Sequence, residues 1–146
     1  SLIADKAAQI PLKLPQKVSV EQILALKPDL VIVQENSNTA FIQALKDVWL
    51  KVYITKVPTT LDMVRQRIIN LSVAVNEKQQ GNRIIDELDH KTKLVKDVTG
   101  AIPAEEKKIL MGYSLLGVFG SAEGLFNDIC INAGVINGAA GGPCSR

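Results

Sequence analysis

Histidine, cysteine and aromatic residues are scarce in this 146-residue chain, which has one His, two Cys, three Phe, two Tyr and one Trp. One imidazole and two thiols cannot complete a four-ligand structural zinc site by themselves, and two cysteines are too few for a disulfide framework. Cys130 therefore reads as a small buried apolar residue. No apolar run approaches the roughly 18 residues that cross a bilayer. Residues 1–15 lack the charged start, apolar middle and cleavage site of a secretory signal, so a soluble chain, mature or trimmed, is expected. The 17 Lys and Arg are interspersed with 15 Asp and Glu; no basic block exists to suit a phosphate backbone, which argues against nucleic acid as a partner.

Catalytic signatures are missing too. The stretch "GYSLLGVFG" carries Gly112, Gly117 and Gly120, yet it forms neither Gly-x-Gly-x-x-Gly nor Gly-x-x-x-x-Gly-Lys-Ser/Thr, so nucleotide binding lacks its motif. There is no Gly-x-Ser-x-Gly elbow, and the single histidine could serve a triad only by leaving its helix face. No catalytic residue, metal ligand or cofactor is assigned, and the chain is read as a non-enzyme.

What is present is globular: 47% hydrophobic and 22% charged residues, in a length that suits one ordinary domain or two small lobes. In "SVEQILALKPDLVIV", Ser19 followed three residues later by Gln22 fits a capping box, and Ile23, Leu24 and Leu26 give a short apolar face. Pro28 has no N–H and pushes Lys27 out of the helical region, which stops the helix. "DLVIV" then reads as a strand covered on both faces, as in a parallel sheet. Capping chemistry in "NSNT" precedes a helix with Phe41, Ile42, Leu45 and Val48 at helical spacing, and "KVYIT" is again strand-like. This is a βαβ unit. Ligands in such sheets bind beyond the carboxyl ends of the strands, here Gln34, Glu35, Asn36, Ser37 and Asn38 with Lys56 to Pro58.

From Thr60 the period changes. Leu61, Val64, Ile68, Leu71 and Val75 form one stripe on a helix of about four turns. A second pattern follows Asn76, with Ile84, Ile85, Leu88, Val95 and Val98 on one face; about 22 residues would span roughly 33 Å. His90 lies about 200° around this helix from Leu88, on its polar face. Gly100 and Pro103 close the helix. "KKILMGY" then predicts another strand, "SLLGVFG" a loop, and Leu125, Phe126, Ile129, Cys130 and Ala133 one face of a helix that starts near Ser121 and ends at Gly134. The fold class is α/β: a parallel-sheet βα lobe, a long backbone helix and the start of a second βα lobe. Residues 1–59, 60–103 and 104–146 form the three expected parts.

"SVEQILALKPDLVIV" resembles the recurring helix and strand of the substrate-binding proteins of ABC importers, in the class with a long helical backbone that serves ferric siderophores, haem and cobalamin. The similarity continues through "FIQALKDVWLKVYIT", the long helix, "KKILMGY" and "GLFNDICINAGVINGAA", whose helix ending is similar to the family's Ala-Gly-Gly-x-Asn turn. It covers about Val18 to Ala140. The resemblance implies two lobes joined by a rigid helix, a chelated-iron, haem or corrinoid ligand held between them, and docking on a membrane permease. It also implies a periplasmic or extracellular location, with a lipoprotein anchor as one form of attachment. Family members are roughly twice this length, so the chain reads as a truncated member.

Within that expectation, Tyr113 and Phe119 bracket the loop at the end of a strand and are weighed as cleft-facing against core packing. Ser114 and Ser121 could donate to an anionic ligand, Ser121 also as a helix cap. Relatives offer a surface Glu to the permease near the start of the second helix; Thr39 and Ala40 stand there, and Glu35 and Glu123 are the nearest candidates for the permease contact. Trp49 replaces a family glycine at a helix end, which predicts a reshaped turn, and Val135 replaces the second glycine of the Gly-Gly pair. The zinc and manganese branch needs several histidines, so a bare metal ion is not the expected cargo. The alternative reading is an interaction or scaffold domain that self-associates through exposed sheet edges.

Overall fold

A computed structural model describes residues 17–115 and 117–140. Cys144 and the N-terminal segment read above for a signal lie outside the described residues. The chain divides into two compact units, Ser1–Thr55 and Lys56–Arg146.

In the first unit, helix α1 (Val20–Ala25) starts at the capping box expected from the sequence: Ser19 Oγ accepts from Gln22 N and Gln22 Oε1 accepts from Ser19 N. It stops before Pro28, with Lys27 in the left-handed region at φ 50°. Strand β1 (Val31–Gln34), helix α2 (Thr39–Asp47) and strand β2 (Val52–Thr55) follow, and the strands pair in parallel from Val31↔Val52 to Gln34↔Thr55. Asn38 caps α2 by accepting from Phe41 N. Leu45 is fully enclosed, and Ile42 and Ile23 are buried beside it.

The sheet departs from expectation. Paired residues of parallel strands share a face, so Ile32 (opposite Tyr53) and Ile54 (opposite Val33) point to opposite sides, and both are exposed, at 45% and 40%. Neither face is fully covered, because α2 packs on β2 while α1 packs on α2.

Trp49 also corrects the reading. The turn is not reshaped: Leu50 N donates to Leu45 O and Trp49 N to Lys46 O, the two bonds of a Schellman ending, with Trp49 itself at φ 63°. Its side chain stays 94% exposed, so a bulky residue occupies the left-handed position at a cost of about 1–2 kcal/mol.

The second unit opens with α3 (Leu61–Ala74) and α4 (Lys78–Thr99), the latter an unbroken 22-residue helix. Ser72 lies against Gly81 and Arg65 against Asp89, so the two helices run antiparallel as a hairpin. A Cβ at Gly81 would sit 2.4 Å from Ser72 Cβ, which explains glycine inside a helix. The predicted α3 stripe is used by Leu61, Val64, Ile68 and Leu71, all half-buried, with Val75 exposed; on α4 Ile85 and Leu88 are half-buried while Ile84, Val95 and Val98 are exposed.

After a 3₁₀ turn (Ala104–Glu106), the single strand predicted for "KKILMGY" proves to be two. β3 (Ile109–Leu110) pairs in parallel with β6 (Ile136–Asn137), whereas β4 (Gly112–Ser114) pairs antiparallel with β5 (Gly117–Phe119), so the predicted loop is a β-hairpin. Met111, between β3 and β4, is where the chain changes partner. Helix α5 (Leu125–Asn132) begins at Gly124 without a side-chain cap, later than the expected start near Ser121. It ends as predicted at Gly134, φ 71°. Cys130 is 1% exposed and is a free thiol.

Candidate functional site

The first group of expected ligand residues occupies the turn that leaves β1. Parallel pairing brings Glu35 N to Thr55 O at 3.0 Å, and Ser37 N closes the turn on Gln34 O at 3.0 Å. Gln34, Glu35 and Asn36 are exposed and Ser37 is half-buried, while Asn38 is committed to capping α2. The turn therefore presents two amides, a carboxylate and a hydroxyl, all able to hydrogen-bond and none cationic. Lys56, which follows Thr55 in the chain, is exposed.

The second group lies on the β4–β5 hairpin and at its foot. Tyr113 stands opposite Val118 and is 78% exposed, and Ser114 Oγ donates to Gly117 O at 3.4 Å. Leu115 at the reversal is fully exposed. Phe119 pairs with Gly112 through its backbone; its side chain is outside what the structure describes. Ser121 is exposed and uses its carbonyl to accept from Gly124 N at 3.1 Å, so it does not cap α5. Glu123 is exposed on the same turn. Tyr113, Ser114 and Ser121 thus belong to one local feature of the second unit, and Gln34 to Ser37 to one turn of the first.

Other polar geometry was not anticipated from the sequence. Asp128 on α5 accepts from Leu61 N at 2.7 Å, so a residue 67 positions away completes the N-terminus of α3 beside the Thr60 cap. Arg65 donates to Asp89 at 2.5 Å and to Asp62 at 2.8 Å. The hydrogen bond to Asp89 holds the guanidinium further above its already high ordinary pKa. These groups line a polar hollow of about 500 Å³ with Lys96 and Asn132. Two others lie near Ile102, Ile109 and Val135 (about 620 Å³) and near Leu88, Val95 and Ile129 (about 240 Å³). None of the three takes in Tyr113 or Ser114. Among the described residues no cluster of three or more His, Cys, Asp or Glu could hold a metal ion, and His90 is exposed on α4.

The sequence matches the family described as periplasmic binding protein over residues 3–145. This chain belongs to the periplasmic binding protein family. Solved structures agree on the fold. The haem-binding protein RhuT from Roseiflexus sp. RS-1 superposes with a TM-score of 0.72 at 25% identity, over 85% of this chain and 48% of that one. The molybdate-binding protein MolA from Haemophilus influenzae gives 0.76 at 21%, over 93% and 48%. The siderophore-binding protein BauB, solved with acinetobactin and ferric iron, gives 0.63 at 21%, over 81% and 43%. This periplasmic binding protein chain spans about half the length of each relative. No curated protein sequence matches it.

Proposed function

We propose that this periplasmic binding protein chain carries part of the solute-binding component of an ABC importer, which captures an iron-siderophore, haem or corrinoid ligand and delivers it to a membrane permease. The observation that carries the reading is the family match over residues 3–145 together with a parallel βα unit and an unbroken 22-residue helix. Haem and ferric siderophore are favoured over the corrinoid because relatives of the same fold are named for them; the corrinoid rests on the resemblance of the long-helix class alone. Residues 1–59 form part of a first lobe in this reading, 60–103 the backbone region and 104–146 part of a second lobe. Gln34, Glu35, Asn36, Ser37 and Lys56 supply polar contacts, Tyr113 and Phe119 aromatic ones, and Ser114 and Ser121 hydroxyl donors. Glu35 and Glu123 are assigned to the permease. A periplasmic or extracellular site of action, with or without a lipid anchor, follows from the same reading; no helix among the described residues is long and apolar enough to cross a membrane.

Calorimetric titration with haemin, a ferric siderophore, cobalamin and molybdate tests it. Saturable one-site uptake of haemin or the siderophore is expected. Heats no larger than dilution for the whole panel, measured also on a chain of the relatives' full length, would remove the basis of the proposal.

A second reading is favoured by one observation: Ile109 and Leu110 of β3 and Met111 after it are 69%, 47% and 57% exposed. An interaction domain that self-associates through a sheet edge accounts for that exposure. Sedimentation of a clean monomer at high concentration would count against it.

A further inference from the structure

Asn137 makes three side-chain hydrogen bonds from a buried position in the second unit. It is 7% exposed, and both ends of its amide are used. Nδ2 donates to Gly120 O at 2.6 Å and to Asn127 Oδ1 at 3.1 Å, while Oδ1 accepts from Ala139 N at 3.0 Å. Asn127 in turn donates to Ala122 O at 2.8 Å, which stitches the turn after Gly120 to the start of α5.

The position of these partners matters more than their number. The β4–β5 hairpin has two roots, one where the chain leaves β3 at Leu110 and one where it leaves β5 at Gly120. In the parallel ladder Asn137 stands opposite Leu110, and Gly138 N donates to Leu110 O at 2.9 Å. Its side chain holds Gly120 directly. Adjacent residues therefore engage both roots, Gly138 the first through its backbone N–H and Asn137 the second through its side-chain amide. Gly120 fits this joint only as glycine: its φ is 113°, and a Cβ would come 2.4 Å from the Phe126 ring and 3.3 Å from Asn137 Oδ1.

We propose that Asn137 is a positioning residue for the candidate ligand site, fixing the hairpin that carries Tyr113 and Ser114, and Ser121 at its foot, without itself touching ligand. The clamp stands on geometry alone; its effect on ligand rests on the binding reading given above. Aspartate has the same shape but only acceptors once ionised, so Asn137→Asp turns two donor contacts into confrontations with the Gly120 carbonyl and the Asn127 amide oxygen. Asn127→Ala removes one of those partners and leaves the bond to Gly120.

Hydrogen exchange of the whole chain, followed at individual amides, with haemin titration of the same samples, tests the proposal. In Asn137→Asp the amides of 112–114 and 117–120 should exchange at least about tenfold faster while those of 78–99 keep their wild-type rates, and Asn127→Ala should give a smaller change of the same pattern. Haemin affinity should fall by a similar factor where the wild type binds it. Unchanged hairpin exchange, or an equal acceleration throughout 78–99, overturns the clamp. A loosened hairpin with unchanged haemin affinity overturns its role in positioning. Should the wild type take up no haemin, the haem reading fails separately and the exchange pattern still decides the clamp.

Discussion

The first unit is held by apolar burial and by caps that each helix makes with its own neighbours, whereas the second, beside the local Thr60 cap, is held by close ties between different elements. Leu45, Ile42 and Ile23 form the core of the one, and Ser19 and Asn38 start its helices within three residues of themselves. In the other, Cys130 is the one buried apolar side chain among the described residues, and order comes from close approaches: Ser72 to Gly81, Thr99 to Gly134, Asp128 to Leu61 N. Local devices tolerate exchange of a neighbour. Close approaches do not, because there is no free volume to absorb an added atom.

Two helices make the contrast concrete, since both end in a Schellman turn with the same pair of bonds. In α2 the left-handed residue is Trp49, and in α5 it is Gly134, where Val135 N donates to Cys130 O and Gly134 N to Ile131 O. The tryptophan is strained but points into solvent. The glycine has Thr99 over it, and a Cβ there would lie 2.6 Å from Thr99 Cβ. The same backbone geometry is thus permissive in one unit and exclusive in the other.

Substitutions can break this contrast or sharpen it. The largest effect is expected from Leu45→Ala, which empties the centre of the first unit and should lower unfolding stability by about 3–4 kcal/mol in urea titration. Loss of that unit's signals before those of the second would sharpen the division, and a loss below about 1 kcal/mol would break it. Next comes Gly134→Ala, where steric conflict with Thr99 adds to the left-handed backbone; a loss of about 2–3 kcal/mol is expected. Asp128→Ala leaves the part-buried Leu61 N–H without its acceptor and should cost about 1–2 kcal/mol, visible as faster exchange at the start of α3. Trp49→Gly should run the other way and raise thermal stability by up to about 1 kcal/mol as the backbone strain is relieved. A destabilised Trp49→Gly would mean that the exposed indole has a role the contrast does not include.

The smallest effect concerns pH. Hydrogen bonding with the Ser19 side chain, followed by its own backbone, holds the Glu21 carboxyl below its ordinary value. A lowered folded-state value supplies stability that is present above the unfolded carboxyl's range and is lost as pH falls through the folded one. Acid titration from neutral pH should therefore fray α1 first among the capped helices, and Glu21→Gln should abolish that dependence. Unchanged α1 amide exchange across the carboxylate range would dispose of it.

Helix starts and stops were largely legible because they are written in neighbouring residues: Ser19 with Gln22, Asn38, and Gly134. The long helix was legible from its period. Strand partners were not. The two-residue segments β3 and β6 acquire their identity from partners 27 positions away, and nothing local marks Met111 as the point where one predicted strand becomes two. The candidate site divides in the same way. The Gln34–Ser37 turn follows from strand order, whereas the hairpin under Tyr113 depends on Asn137, whose importance comes from what it reaches in space. The coverage expected for "DLVIV" went astray for a related reason: an apolar run predicts the ability to be covered, not the presence of a cover on each face.

The thiol of Cys130, walled in on the last turn of α5, offers a stopwatch for the second unit. An alkylating reagent can reach it only when the surrounding helices part, so the labelling rate counts opening events. With Cys144 replaced by serine, mass spectrometry of one adduct would time how often this half of the protein breathes.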